Sequence, residues 1–317
     1  MSTSAHDGGD GRRAVFAALA ANIGIAIAKL VAFALTGAAS MLAESVHSLA
    51  DTANQALLLL GGRRARQEAT RSHPFGYGRE QYFWAFIVAL VLFLLGGVFA
   101  IVEAIDKLEH PHDLDNVVIA LVILGVSVVL EGLSLRTAIR EASLQRGSQS
   151  WWMFIRTSKG PELPVVLLED TGALTGLVFA FVGVGMGAAT GNPRWDAVGS
   201  LGIGILLVVI AGVLVVEMKS LLIGEAASTA DEAAIRAAIE SSPSIRRVIH
   251  LRTEHLGPEE LLVGVKVELD HDLTLPEIAA RIDEAEARLR AAVPKARVVY
   301  VEPDVARSAL EEFGNSS

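Results

Sequence analysis

The sequence predicts a helical membrane domain followed by a small water-soluble α+β domain. Two observations lead to this fold class. Hydrophobic residues make up 52% of the 317 residues. Up to Leu222 they are gathered in stretches close to the roughly 20 residues that a helix needs to cross a bilayer. After Leu222 the chain becomes polar, with apolar runs of the length found in soluble proteins.

We expect six membrane-spanning helices, at about 14–36, 38–61, 82–105, 116–138, 164–190 and 196–223. Arg and Lys cluster in the N-terminal tail and in the second and fourth loops, and such loops stay in the cytoplasm. Both termini are therefore predicted to be cytoplasmic. The polar start shows no cleavable signal pattern, and the Ala-, Val- and Arg-rich composition points to a bacterial cytoplasmic (inner) membrane.

Four segments follow from this pattern. They are a cytoplasmic N-terminal tail, a six-span membrane domain, a cytoplasmic domain and a flexible C-terminal tail, at 1–12, 13–224, 225–304 and 305–317. The cytoplasmic domain reads as an αββαβ unit, with helices at 230–241 and 275–292 and strands at 245–254, 261–269 and 298–301. Thr229 with Glu232, and Thr274 with Glu277, have the spacing of capping boxes at the two helix starts.

A histidine and an aspartate lie inside the second apolar stretch. His47 and Asp51 are four residues apart, so both side chains lie on one face of the predicted helix. Ionisable groups at membrane depth are costly, and they mark ion pathways or relays. An imidazole and a carboxylate at this spacing can bind the same divalent cation. The pair therefore indicates a metal site within the membrane.

Further polar residues extend this face of the helix. Ser40, Glu44 and Asn54 continue the stripe, which is expected to face the bundle interior or an aqueous cavity. The alternative is a set of hydrogen bonds between helices, and Glu44 and Asn54 are the members that fit this alternative or a supporting role best. In the first stretch, Asn22 and Lys29 share a face. Lys29 could offset nearby carboxylates, or it could make only a structural contact.

The fifth apolar stretch supplies two adjacent acids, Glu169 and Asp170. Gly172 and Gly176 follow them and permit close helix approach. Because the chain has no cysteine, any metal must be bound by N and O ligands. His47 and Asp51 with these two acids offer up to four such ligands, a set suited to Zn²⁺ and also to Mn²⁺, Fe²⁺ or Co²⁺.

The chain resembles the cation diffusion facilitator family. The resemblance rests on the string from Met41 to Asp51, MLAESVHSLAD, on the string from His73 to Glu80, HPFGYGRE, and on the six spans with a C-terminal αββαβ unit. It covers about residues 12–304. It implies a homodimeric exporter of divalent metal ions, usually zinc, driven by proton antiport. It also implies a cytoplasmic domain with a metallochaperone-like fold.

One departure from the family pattern concerns the fifth stretch. The family has a His or Asp four residues before an Asp; Asp170 matches the second position, but Val166 stands at the first. Glu169 is our candidate for the missing ligand, and Glu162 is a weaker one. The string PELPVVLLED, which ends at Asp170, is similar to the branch that includes the mitochondrial zinc exporter of animals.

A second departure concerns the family's accessory metal sites. Of the loop ligands only His73 has a match, because Tyr77 stands where a second His would be, and a loop-ordering role is favoured for His73. In the cytoplasmic domain the family's bridging His positions fall at Ile249, Lys266 and Tyr300, which leaves only Glu302 as a match. A binuclear cytoplasmic site is therefore not expected. His250, His255 and His271 read as solvated surface residues.

The sequence thus favours a proton-coupled exporter with alternating access, whose partners are the lipid bilayer, divalent metal ions and a second copy of the chain. No cofactor or nucleic-acid partner is expected. The chain has no G-x-x-x-x-G-K-[ST] nucleotide motif. The alternative is a membrane-embedded metal sensor or scaffold that acts through its cytoplasmic domain. A channel and an enzyme are less favoured, since a tight His–Asp site suits a carrier and no nucleophile–base pair is evident.

Overall fold

The computed structural model of the chain describes residues 23–111 and 116–305. The chain divides into two compact units, Met1–Arg63 with Gln81–Lys219 and Arg64–Glu80 with Ser220–Ser317. The expectations for the N-terminal tail, for Asn22 and for nearly all of the C-terminal tail fall outside the described residues. Each unit is described by itself below.

The membrane part consists of helices. They are α1, described over Ile23–Thr36, α2 at Ala39–Ala65, α3 at Glu80–Glu109, α4 at Val117–Arg146, α5 at Trp151–Thr157, α6 at Glu162–Thr190 and α7 at Arg194–Ile223. Four of these, α3, α4, α6 and α7, are long and apolar enough to cross a membrane, and they coincide with the last four predicted spans. The described part of α1 is a shorter apolar helix. Helix α2 is long, but its polar stripe lowers its hydropathy.

Small residues bring the long helices close together. Part of α3, Leu92–Val98, is wound as a π-helix, a local widening that is frequent at functional sites. A Cβ at Gly97, within that segment, would lie 2.7 Å from the side chain of Val208 on α7. Gly172 and Gly176 behave as predicted, since added Cβ atoms would meet Ile210 and Glu44 within 3 Å. A larger residue at any of these positions would therefore require its neighbour to shift.

The first turn of α2 is capped by an acid from another helix. The carboxylate of Asp196, in the first turn of α7, accepts hydrogen bonds from the backbone N–H groups of Ala39 at 2.6 Å and Ser40 at 3.2 Å. It also accepts one from the Ser40 hydroxyl. A carboxylate is stabilising at a helix N-terminus, where N–H groups lack partners. This contact fixes the start of the helix that carries His47 and Asp51.

The second unit contains a three-stranded sheet and two helices. Its elements are α8 at Thr229–Glu240, β1 at Ile245–Gly257, β2 at Glu260–Leu269, α9 at Leu275–Ala292 and β3 at Val298–Asp304. The strand order is β1-β2-β3, with β1 and β2 antiparallel and β2 and β3 parallel. Alternate residues of β2, from Leu261 to Leu269, are buried against apolar residues of α8 and α9. This is the predicted αββαβ order.

The boundaries differ from the prediction in two respects. Helix α8 is capped by Ser228, whose hydroxyl accepts from the N–H of Asp231, so the predicted box of Thr229 with Glu232 is one residue out of register. The predicted box of Thr274 with Glu277 is present. Strand β3 was predicted to end at residue 301, but it continues to Asp304. Pro303 and Asp304 still lie opposite residues of β2, with which β3 pairs in parallel.

Candidate metal site in the membrane domain

The imidazole of His47 and the carboxylate of Asp51 meet on one face of α2. Nε2 of His47 lies 3.5 Å from Oδ2 of Asp51, one helical turn away. The His47 side chain is 1% exposed, and within the described residues neither of its ring nitrogens makes a hydrogen bond. Asp51 is 17% exposed, and its Oδ1 atom is also buried without a hydrogen-bond partner there. Buried polar atoms of this kind call for an explanation, and imidazole and carboxylate groups are both able to bind a metal ion.

A cavity of about 200 Å³ brings Asp51 together with acids from two other helices. Its walls include Asp51 of α2, Glu131 of α4 and Asp170 of α6. The remaining lining residues are Ile25, Ser48, Gln55, Leu130 and Ser134. The hydroxyl of Ser134 donates to Oδ2 of Asp170 at 2.9 Å, which holds that carboxylate at the wall. The cavity therefore carries three carboxylates from three helices.

The two adjacent acids of α6 have different surroundings. Asp170 lines the cavity. Glu169 is buried, at 5% exposure, and its Oε1 atom accepts a hydrogen bond of 2.6 Å from the amide of Asn54. Neighbouring positions on a helix differ by about 100°, so only one of the two borders the cavity directly. Glu162, in the first turn of α6, is not among the lining residues.

A buried ion pair adjoins the site. Nζ of Lys29 lies 3.1 Å from Oε2 of Glu44 and donates to the hydroxyl of Ser48 at 2.7 Å. Both charged side chains are fully buried. Ser48 is itself a lining residue of the cavity. The ammonium group of Lys29 is therefore one hydrogen bond away from the cavity. Lys29 thus compensates the charge of Glu44.

Asp51, Glu131 and Asp170 line the cavity and His47 does not, so these donors do not converge on one point. Within residues 23–111 and 116–305, no three His, Asp or Glu side chains lie close enough together to bind one metal ion. Cation binding by this set therefore requires its side chains or helices to move closer. The chemistry of the set, one imidazole and several carboxylates, suits a divalent transition-metal ion.

In the cytoplasmic domain, Lys266 and Glu302, two positions singled out in the sequence analysis, form an ion pair with each other. Nζ of Lys266 lies 3.0 Å from Oε1 of Glu302 and 3.3 Å from Oδ2 of Asp304. The hydrogen bond with Glu302, followed by that with Asp304, raises the pKa of Lys266 above its ordinary value, so the ammonium charge is held. The carboxylate of Glu302 is therefore neutralised by the ammonium group of Lys266.

The cytoplasmic histidines differ from one another. His250 is exposed and accepts a hydrogen bond of 2.7 Å from Arg252, and His271 is 56% exposed. His255 is fully buried, with its Nδ1 atom 3.3 Å from the carbonyl oxygen of Gly257. The expectation that it is a solvated surface residue is wrong, because its strand position turns it into the domain.

His73 is tied into its own loop. Its backbone N–H and carbonyl exchange hydrogen bonds with Thr70, and its ring packs against Tyr77 with centroids 4.5 Å apart. The Nδ1 atom is 3.1 Å from the hydroxyl of Ser72. These are the contacts of a residue that orders the loop.

Sequence reasoning missed Glu131 as a site residue. Glu131 lies inside the fourth apolar stretch, where an acid at membrane depth is a signal of function by the same rule that singled out His47 and Asp51. Ser134 lies one turn further along the helix, on the same face. The sequence therefore carried a signal at Glu131. However, Glu131 has no second metal-binding side chain four residues away, so it does not form a recognisable motif.

Known proteins resemble both parts of the chain. Residues 15–223 match the family model described as the cation efflux transmembrane domain, and residues 227–304 match that of the cation efflux protein, cytoplasmic domain. A mouse (Mus musculus) protein named "Proton-coupled zinc antiporter SLC30A9, mitochondrial" is 35% identical over 246 residues, which are 77% of this chain and 43% of that protein. The chain thus spans less than half the length of that relative.

Two further relatives come from a plant and a bacterium. The "Metal tolerance protein C4" of Arabidopsis thaliana is 29% identical over 87% of this chain and 61% of that protein. The "Cation-efflux pump FieF" of Klebsiella pneumoniae is 26% identical over 90% of each chain. The protein therefore belongs to the cation diffusion facilitator family of cation efflux transporters, and it is a membrane transporter with a cytoplasmic C-terminal domain, not an enzyme.

Proposed function

We propose that this protein exports divalent metal cations, zinc foremost, from the cytoplasm in exchange for protons. The observation that carries the proposal is the buried pair of His47 and Asp51 beside a cavity that Asp170 also lines. The mouse relative, whose name gives it as a proton-coupled zinc antiporter, supports zinc as the cation and protons as the counter-ion.

His47, Asp51 and Asp170 are the proposed ligands, with Glu169 as the neighbouring carboxylate on α6. Asn54 holds Glu169 behind the cavity wall, so Glu169 becomes a ligand only if its side chain rotates away from that amide. Glu162 is two helical turns, or about 12 Å, from Asp170. It is therefore the weakest candidate.

Proton coupling follows from the chemistry of the ligands. Metal binding requires a neutral imidazole and ionised carboxylates, so binding from the cytoplasm releases protons. The carrier then turns its cavity outward, where protons from outside displace the metal and reset the ligands. An inward proton gradient drives export by this cycle. The six spans, the cytoplasmic termini, a bacterial inner-membrane location and a homodimer complete the proposal.

Transport into proteoliposomes with an imposed pH gradient tests this function. The wild-type protein is expected to accumulate Zn²⁺, with Mn²⁺, Fe²⁺, Co²⁺ and Cd²⁺ as competitors. Asp51→Ala and Asp170→Ala are expected to abolish uptake in protein that remains folded and dimeric. Asp106→Ala is the matched control, because Asp106 is 67% exposed near the end of α3, and it should transport normally.

Three results would count against the proposal. Uptake that persists when the pH gradient is collapsed would rule out antiport. Normal uptake by Asp51→Ala would rule out the site. A well-folded wild-type protein that transports none of these cations would favour a membrane-embedded metal sensor.

A further inference from the structure

Val166 stands where the family pattern has a His or Asp, and the cavity offers a different acid. Three carboxylates line it, and the third belongs to Glu131 of α4. α4 packs along α6, and the hydrogen bond from Ser134 to Asp170 ties the two helices together at the depth of the cavity. Glu131 lies one turn before Ser134 on the same face, so its carboxylate reaches the same wall.

The surroundings of Glu131 link it to the other proposed ligands. It is half-buried inside a helix that is apolar enough to span a membrane. Its carboxylate interacts electrostatically with Lys29, Asp170 and His47, and Asp51 interacts electrostatically with Glu131 in turn. Acids at membrane depth face a polar cavity or pair with other polar groups, and the hydrogen bonds of Lys29 go to Glu44 and Ser48.

A second observation concerns His47, one helical turn from Asp51. The imidazole of His47 is 99% buried, faces Asp51 at 3.5 Å, and has no hydrogen bond to either ring nitrogen within the described residues. A neutral imidazole has one nitrogen with a lone pair, and an imidazole beside a carboxylate can bind a divalent cation through that nitrogen. His47 does not line the cavity itself, but it adjoins Asp51, which does.

We propose that Glu131 is a cation ligand, and that the site is formed by three helices, α2, α4 and α6. This inference rests on the proposed function and deepens it. Glu131, which lines the cavity, takes the position that Val166 cannot fill; Glu169 remains bound to Asn54. The donor set is then His47 with the carboxylates of Asp51, Asp170 and Glu131.

The substrate class follows from this donor set. Three carboxylates and one imidazole form an oxygen-rich site that accepts Mn²⁺ and Fe²⁺ as well as Zn²⁺, since carboxylates suit the harder ions and imidazole suits zinc. Loss of Glu131 should therefore weaken Mn²⁺ binding more than Zn²⁺ binding. Loss of His47 should have the opposite preference.

The test compares Glu131→Gln with Glu169→Gln in the full-length protein, using two readouts. The first is the KM for Zn²⁺ and for Mn²⁺ in proteoliposomes. The second is the rise in Tm that each ion causes in detergent, which reports binding to the folded state and does not depend on transport. Glu141→Gln is the control, because Glu141 is an exposed acid on the same helix.

Glu131→Gln is expected to raise KM for Zn²⁺ by at least about tenfold, as a typical change at a metal site does, and to shrink the metal-induced Tm rise. Glu141→Gln should leave both readouts near wild type, and Glu169→Gln should change them less than Glu131→Gln does. A wild-type KM and Tm rise in Glu131→Gln would overturn the inference, as would a loss in Glu169→Gln alone. If Glu131→Gln does not fold, Glu131→Asp replaces it, with the same expected direction of both changes.

The two readouts separate this inference from the proposed function. A wild-type protein that shows the metal-induced Tm rise but transports nothing would overturn export and leave the binding test of Glu131 intact. Transport by the wild type together with an unaffected Glu131→Gln would overturn the role of Glu131 alone.

Discussion

The buried ion pair of Lys29 and Glu44 shows how single residues set the charge around the site. Both side chains are fully buried and 3.1 Å apart. The Coulomb attraction of a buried pair roughly repays the cost of removing both charges from water, but removal of one partner leaves an uncompensated charge. Glu44 also lies against Gly176 of α6, where an added Cβ would come within 2.8 Å of its Oε1 atom. The pair therefore has little freedom to find other partners.

Lys29→Met is expected to destabilise the protein by about 3–5 kcal/mol, because Glu44 would remain buried without its cation. Adding Glu44→Gln to that variant should restore part of the loss, since the uncompensated charge is then gone. Unfolding in detergent measures both effects. Lys219→Met, at an exposed position on α7, is the control. A double variant that is less stable than Lys29→Met would contradict the account.

Most of the candidate site could be predicted from the positions of single ionisable residues, and the reasons are physical. His47, Asp51 and Asp170 stand out because ionisable side chains in apolar stretches are rare. Which of Glu169 and Asp170 lines the cavity could not be predicted. The answer depends on the rotation of α6 against α2 and on the amide of Asn54, which donates a hydrogen bond to Glu169. Glu131 was missed because its partners come from other helices.

Glycine contacts determine how the long helices pack against one another. Gly183 of α6 and Gly199 of α7 face each other, and a Cβ at Gly183 would lie 2.9 Å from the carbonyl oxygen of Trp195. That carbonyl precedes Asp196, which caps α2. Close approach of α6 and α7 is therefore connected to the position of the helix that bears His47. Small residues at helix interfaces are a common means of packing within membranes.

Gly183→Ala is expected to lower stability by about 1–3 kcal/mol, the usual cost of overpacking. The matched control is Gly185→Ala on the same helix, where an added Cβ meets nothing within 4 Å. There, alanine should be neutral or slightly stabilising, since it is the better helix former. Thermal unfolding in detergent compares the two. Equal stability of both variants would show that the α6–α7 contact is not close-packed.

At the scale of elements, the long helices and the αββαβ order could be predicted because hydrophobic periodicity and length determine them. The cap of α8 was predicted one residue late, since Ser228 and Thr229 are both good capping residues and the sequence does not choose between them. The π-helical turn of α3 could not be predicted, because it depends on contact with α7.

For the whole molecule, the division into two units cuts across the predicted domains. The segment Arg64–Glu80, which the sequence assigns to the membrane domain as a loop, packs within the same unit as the cytoplasmic residues. Arg79 forms an ion pair with Glu254, and a Cβ at Gly78 would lie 2.6 Å from the carbonyl oxygen of Leu256. Composition alone cannot reveal this, because a polar loop has the same character in either unit.

The proposed function requires that the transported cation is bound within the membrane domain by His47 and carboxylates. Zinc K-edge X-ray absorption on the full-length protein, loaded with one equivalent of Zn²⁺, tests it most directly. The account predicts nitrogen and oxygen neighbours at about 2.0–2.2 Å, with outer-shell scattering from a single imidazole. That imidazole scattering should disappear in His47→Ala. Unchanged imidazole scattering in His47→Ala, together with its loss in a variant lacking His250, His255 and His271, would place the metal in the cytoplasmic domain and contradict the account.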